Sequence, residues 1–303
     1  MNDELYQTLA QMVPQENILE NEDMSAHTTF KVGGPAKYLV LIDNIDQLAQ
    51  VIRYLNIVER EYFLLGNGSN ILVSDHGYDG VILKLTGEFS QVSVKEDKIT
   101  CGAAALLGMV SREAASNSLT GMEFASGIPG TIGGAMVMNA GAYDGEMSQI
   151  TESVTVVNRE GEIMTLDADT MKFGYRTSII KKTGYVVTSV VLKLKAGDKN
   201  QIEEIMRDLA ARRREKQPIE YPSAGSTFKR PEGYFAGKLI MDAGLRGFSI
   251  GGARVSDKHC GFVINQGNAT AADVYDVICQ VQETVKDKFG VKLEREVIIL
   301  GDF

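Results

Sequence analysis

Two glycine-dense segments constrain this chain more than any other feature. The first is Leu65-Gly66-Asn67-Gly68-Ser69-Asn70. The second is Gly127-Ile128-Pro129-Gly130-Thr131-Ile132-Gly133-Gly134, running on to Asn139-Ala140-Gly141. Glycine makes up 31 of 303 residues and proline only 6, so the excess glycine is not a low-complexity linker. It serves tight turns and close approach of the backbone to something else. In the first segment, small residues let successive backbone N–H groups converge on an anion, and Ser69 and Asn70 add side-chain donors. A pyrophosphate is the natural guest, and a glycine turn with no ligand is the alternative. The segment is not a dinucleotide fingerprint, because Ile71 stands where the third glycine belongs, and no G-K-[ST] follows to make a phosphate loop. The second segment, glycines among apolar residues, suits a backbone pressed against a flat ligand or a crowded turn. Two such loops together favour one extended ligand such as a dinucleotide.

Around these loops the pattern mixes strands and helices. Ile45, Leu48, Val51, Ile52 and Leu55 share one helical face, and YFLLG, ILVS and GVILKL read as strands. Hairpins are expected over VSVKEDKITCG and over SVTVVNREGEIMTL, the latter turning at Asn158–Gly161. A helix over 104–118 should bury Leu106, Leu107, Val110 and Ala114. YVVTSVVLKLK is a long strand. A charged helix follows, with Ile202, Ile205, Met206 and Leu209 as its apolar stripe and a basic end at Arg212, Arg213, Arg214 and Lys216. A boundary falls near Ala196–Lys199. The last helix opens with Thr270 and Asp273 in capping-box spacing and buries Val274, Val277, Ile278, Val281 and Val285, before a closing strand REVIIL. The class is α+β.

Charge and composition exclude several functions. The net charge is −9, which argues against a large nucleic-acid footprint, although a local basic pocket can exist. Cys101, Cys260 and Cys279 lie far apart and form no C-x-x-C pair; His27, His76 and His259 are scattered. Neither a disulfide framework nor a metal centre is expected. The N-terminal residues MNDELYQTLAQ carry no apolar signal region, and no run is long enough to cross a bilayer, so a soluble, cytoplasmic protein is expected.

Three further segments carry chemistry. Arg176 in Gly174-Tyr175-Arg176-Thr177-Ser178 can clamp a carboxylate or form a surface ion pair. Ser226 in Ala224-Gly225-Ser226-Thr227-Phe228-Lys229-Arg230-Pro231 can exchange a proton or simply serve the turn, and no hydrolase elbow surrounds it. In Leu293-Glu294-Arg295-Glu296-Val297, strand alternation puts Glu294 and Glu296 on one face. A carboxylate leading into an apolar run is a candidate for a raised pKa, with a solvated strand end as the alternative.

With Thr28-Thr29-Phe30-Lys31-Val32-Gly33-Gly34 added, these segments in this order resemble the UDP-N-acetylenolpyruvoylglucosamine reductase (MurB) family over nearly the whole chain. The resemblance implies a two-subdomain FAD-binding unit of the vanillyl-alcohol-oxidase (PCMH) type, residues 1–85 and 86–197. A C-terminal α+β domain, 198–303, would bind the UDP-sugar. It implies that NADPH reduces a noncovalent FAD, which then reduces the enolpyruvyl ether of UDP-N-acetylglucosamine to UDP-N-acetylmuramate for peptidoglycan. Arg176 matches the arginine that holds the substrate carboxylate, Glu296 its partner acid, and Ser226 the proton donor to carbon. Arg213, Lys216 and Arg230 match positions facing the UDP group, and the loop glycines with Asn139 match flavin contacts. Only 40 residues separate Arg176 from Lys216, so the chain fits a shorter subgroup lacking a tyrosine-bearing insertion over the substrate. Partners are then a UDP-sugar and NADPH, with no nucleic acid, no membrane insertion and no obligate protein partner. A FAD-dependent hydroxy-acid oxidase or dehydrogenase of the same superfamily would have no use for the basic run. A non-catalytic nucleotide-binding module would lack one of Arg176, Ser226 or Glu296.

Overall fold

The computed structural model describes residues 4–303, and helices and strands alternate along them, as the α+β class requires. Tertiary contacts divide the chain into two compact units. One holds residues up to 20, 38–67 and 80–211; the other holds 21–37, 68–79 and 212–303.

The first unit has two hydrophobic cores. One lies with a four-stranded sheet ordered Ile18–Asp23, Pro35–Ile42, Tyr78–Leu85, Tyr62–Leu65, the last two parallel. The helix Ile45–Ile57 buries Leu48, Val51, Ile52 and Leu55 there beside Val40, Ile42, Val81 and Leu83. Asn44 starts that helix by accepting the Gln47 N–H at 3.0 Å. The second core lies with an antiparallel sheet ordered Ile163–Asp167, Thr151–Val157, Val186–Lys193, Lys98–Gly102, Val92–Lys95. Both expected hairpins are in it, and Asn158 closes one turn through Oδ1, accepting from the N–H groups of Glu160 and Glu162. Leu106 departs from expectation. The helix starts at Leu107, and Leu106 sits before it in a bridge with Thr131, its side chain 45% exposed. Cys101 is fully buried, and that burial pushes its thiol up to about 12.

The second unit is built on the helix Ala271–Phe289. Thr270 and Asp273 form its capping box, Gly290 ends it at φ +69°, and the valine-rich stripe is buried. It packs with a three-stranded antiparallel sheet, Ser249–Ile250, Ala253–Val255 and Val263–Asn265. N-terminal sequence enters this core: Phe30, Val32 and Leu72 are buried in it. The Asp75 carboxylate accepts the Ala271 and Ala272 N–H groups, both at 2.8 Å, placing negative charge on the helix start. Ile71–Val73 pairs in parallel with Ile298–Leu300, so the closing strand is shorter than REVIIL and begins after both glutamates.

The charged helix runs Lys199–Lys216 and buries only Ile202; Ile205, expected in its stripe, is exposed. Its surface is too polar to give a wide apolar face. Among the described residues, no helix is long and apolar enough to cross a membrane and no His/Cys/Asp/Glu group could hold a metal ion.

Candidate active site

In the first unit the two glycine loops lie against each other. The Asn67 side-chain amide donates to the Pro129 carbonyl at 2.8 Å, and a Cβ on Gly66 would stand 2.8 Å from the Thr131 hydroxyl. The backbone around Gly130–Gly133 is pinned by Leu107 N–H to Gly130 O, Ile132 N–H to Ala105 O and Gly133 N–H to Ala103 O. Thr131 accepts the Gly134 N–H at 3.3 Å and so starts the helix Ile132–Met138. Asn67, Gly127, Pro129 and Gly134 remain exposed. The result is a rigid shelf of small residues with little side chain above it. Small residues of this kind let a flat ligand approach the backbone closely, which is the chemistry a flavin dinucleotide needs.

Also in the first unit, Arg176 occupies the third position of a tight turn. Gly174 and Thr177 exchange both backbone hydrogen bonds, at 3.0 and 3.3 Å. Arg176 has φ +55°, a left-handed conformation that a long side chain adopts only at a cost. Its guanidinium lies 5.3 Å from the Tyr175 ring centroid and donates to Gly141 O at 3.4 Å. Asn139 supports this turn. It is itself left-handed and almost fully buried; its amide donates to Gly174 O at 3.3 Å, and its Oδ1 accepts the Ser148 N–H at 2.9 Å.

In the second unit one short antiparallel bridge joins the loop that carries Ser226 to the segment that carries Glu296. Phe228 pairs with Arg295, the Glu296 N–H donates to Thr227 O at 2.8 Å, and the Lys229 N–H donates to Glu294 O at 2.9 Å. Ser226 is exposed and follows Gly225 at φ +74°, while Thr227 beside it is fully buried. Thr227 anchors the loop, its N–H donating to Gly261 O at 2.8 Å and its hydroxyl accepting the Val263 N–H at 3.1 Å. Glu296 is half-buried. Glu294, expected beside it, is instead exposed and paired with Lys229 at 2.9 Å, a hydrogen bond that holds its carboxyl below the usual glutamate value. A carboxyl so paired stays ionised and is not the acid of the pair.

The rest of the first glycine loop belongs to this unit. Gly68 is buried at φ +62° under the His27 carbonyl. Thr29 ties it in: its N–H donates to Gly68 O at 3.0 Å and its hydroxyl to Ser223 O at 2.7 Å, three residues before Ser226. Asn70 donates its side-chain amide to Glu296 O at 3.1 Å. Arg213 and Lys216 end the charged helix, and Arg230 stacks on the exposed Phe235 ring at 3.9 Å. Reasoning from residue types missed Thr29 and His259. The run TTFKVGG carried the resemblance, but nothing local to it names Ser223 as a partner.

His259 supports the same loop. Its Nδ1 accepts the Gly261 N–H at 3.1 Å, and its ring meets Phe262 edge-on at 5.0 Å between centroids. Burial holds the imidazole below its ordinary value of 6.5. The unfolded chain therefore takes up a proton near that pH that the folded protein resists, so stability present above it is lost as the pH falls below it. Protonation also removes the acceptor for Gly261, whose carbonyl holds Thr227. We expect the melting temperature to fall from about pH 7 to about pH 5.5, and to fall less in His259→Gln. Equal slopes in the two proteins would refute the assignment.

Two family models match the chain. Residues 36–167 match the family described as FAD binding domain, and residues 217–300 match UDP-N-acetylenolpyruvoylglucosamine reductase, C-terminal domain. UDP-N-acetylenolpyruvoylglucosamine reductase of Clostridium tetani is 50% identical over 294 residues, 97% of this chain and 95% of that protein. The crystal structure of the reductase (MurB) from Thermus caldophilus superposes with a TM-score of 0.82 at 36% identity, covering 94% of this chain and 100% of that one. The glucose dehydrogenase Phl p 4.0202 shares the fold alone, with a TM-score of 0.50 at 11% identity over 65% of this chain and 45% of its own. With half of its residues identical to a curated reductase along almost its entire length, the chain belongs to the UDP-N-acetylenolpyruvoylglucosamine reductase family.

Proposed function

We propose that Ser226, Glu296 and Arg176 carry out the NADPH-dependent, FAD-mediated reduction of UDP-N-acetylglucosamine enolpyruvate to UDP-N-acetylmuramate, a step in peptidoglycan precursor synthesis. The two glycine loops would hold FAD, which when bound would supply the hydride chemistry, passing reducing equivalents from NADPH to the terminal carbon of the enolpyruvyl double bond. The electron pair then collects on the carboxylate-bearing carbon, delocalised as an enolate, and must be stabilised there. The Arg176 guanidinium holds the carboxylate, and the protonated Glu296 carboxyl donates a hydrogen bond to the developing enolate oxygen. The Ser226 hydroxyl gives its proton to the carbon and completes addition of two hydrogens across the double bond. The observation that carries this reading is the bridge through Thr227 and Phe228, which fastens the Glu296 peptide to the residue that follows Ser226.

Residues 1–85 and 86–197 serve as the two flavin-binding subdomains and 198–303 as the UDP-sugar domain. Gly66, Asn67, Gly68, Ser69 and Asn70, with Gly127, Ile128, Pro129, Gly130, Gly133, Gly134, Asn139 and Gly141, form the flavin loops and their support. Arg213 and Lys216 meet the diphosphate, which explains a cationic cluster in an acidic protein, and Arg230 takes another position on the UDP group. The enzyme works in the cytoplasm on small molecules and needs no nucleic acid, membrane insertion or obligate protein partner.

Anaerobic visible spectroscopy tests the whole reading. The purified protein should be yellow, bleach with NADPH, and recover its colour on adding the enolpyruvyl UDP-sugar. A protein that cannot be loaded with FAD, or one that bleaches but does not recover, would overturn it.

A further inference from the structure

Glu296 is held at both ends of its own peptide units. Its N–H donates to Thr227 O at 2.8 Å, next to Ser226, and its carbonyl accepts the Asn70 side-chain amide at 3.1 Å. Asn70 makes a second bond to the same segment, its carbonyl accepting the Ile298 N–H at 3.0 Å. The parallel ladder of Ile71–Val73 with Ile298–Leu300 starts immediately afterwards. Asn70 is thus the last residue of a glycine loop and the first clamp on the segment carrying the acid. Its side-chain bond is separate from the backbone ladder, so a substitution can remove it and leave the ladder's own hydrogen bonds in place.

We infer that Asn70 is a positioning residue for Glu296: its amide fixes the Glu296 peptide and thereby the reach of the carboxyl. The inference rests on the role given to Glu296 above. An amide is suited to the task. Its N–H is a donor aimed at a carbonyl, whereas an aspartate of the same shape would set two oxygens against each other and add a negative charge beside the acid. Once the amide is gone, the Glu296 carbonyl loses its partner, and the peptide keeps only the bond from its N–H to Thr227 O. A displacement of about 1 Å in a catalytic group is enough to slow a reaction ~10²-fold.

The test compares Asn70→Ala, Asn70→Asp, Glu296→Gln and the double variant Asn70→Ala/Glu296→Gln as FAD-loaded proteins. Reduction by NADPH and reoxidation by the enolpyruvyl UDP-sugar are timed separately across pH, and hydrogen exchange is followed over residues 294–300. We expect both Asn70 variants to slow reoxidation by about 10- to 100-fold, far more than reduction, as displaced reacting groups do. The pH dependence of reoxidation should change, exchange over 294–300 should quicken, and Asn70→Ala should add nothing once Glu296 is Gln. Equal slowing of both half-reactions, release of FAD with unchanged exchange, or additive effects in the double variant would overturn the inference and make Asn70 a flavin ligand through its side chain. If Glu296→Gln alone reoxidises normally, the role of Glu296 itself fails, and that single variant identifies the failure.

Discussion

Ser226→Ala should leave reduction of the bound flavin by NADPH close to the wild-type rate and slow its reoxidation by the enolpyruvyl UDP-sugar by about 10²–10⁴-fold, the usual contribution of a positioned acid. The reasoning is local. Ser226 is exposed, while the neighbouring Thr227 carries the loop's anchoring bonds to Gly261 and Val263. Removing one exposed hydroxyl therefore leaves the loop in place, and stability should change by no more than about 0.5 kcal/mol. What is lost is the proton for the carboxylate-bearing carbon. Stopped-flow absorbance without oxygen separates the two half-reactions, and a melting curve checks the fold. Equal slowing of both steps with an unchanged melting temperature would remove Ser226 from the proton transfer.

Gly68→Ala should damage folding and flavin retention together. A Cβ at Gly68 would stand 1.9 Å from the His27 carbonyl oxygen, and the residue sits at φ +62°. No rotamer relieves a clash with backbone, so the segment around His27 to Thr29 must move. That movement strains the Thr29 bonds to Gly68 O and Ser223 O. Left-handed strain and overpacking together cost about 2–5 kcal/mol, a large part of the ~5–15 kcal/mol that holds a typical protein folded. Gly225→Ala is the control. Its φ is +74° but nothing lies within 4 Å of the added carbon, so only the conformational penalty remains, about 1–2 kcal/mol. Urea midpoints and the flavin-to-protein absorbance ratio measure both. Gly68→Ala unfolding at the Gly225→Ala midpoint would show that the loop relaxes freely and that the close approach is unimportant.

Elements that close their hydrogen bonds within a few residues were legible in the chain itself. The Asn158 turn bonds residues 2 and 4 positions away, and the Thr270–Asp273 box spans 3. Each needs only its own side chains, so residue type and spacing specify it. The chemistry of the site was legible in the same sense, because an arginine, a serine and a glutamate in glycine-framed segments can each be named for what such groups do. Burial was less so. Leu106 and Ile205 are apolar at helical spacing yet exposed, because periodicity marks a face without saying what covers it.

Partnership between distant segments belongs to the tertiary structure alone. Glu294 and Glu296 are alike in type and two residues apart. One is paired with Lys229 and the other has its peptide held by Thr227 and Asn70. The bonds from Asn70 to Glu296 and from Thr29 to Ser223 join residues 226 and 194 positions apart. No propensity, period or cap encodes such a pair. Closing a loop of that length is driven by burial of Phe30, Val32 and Leu72 with the stripe of Ala271–Phe289, and the hydrogen bonds form where that packing sets the backbones side by side. The chain alone determined its hairpins, caps and reactive residue types, because these depend on neighbours. Which glutamate is tied up by a lysine, and which asparagine holds the other, was decided by the shared core, because only packing brings residues so far apart within bonding distance.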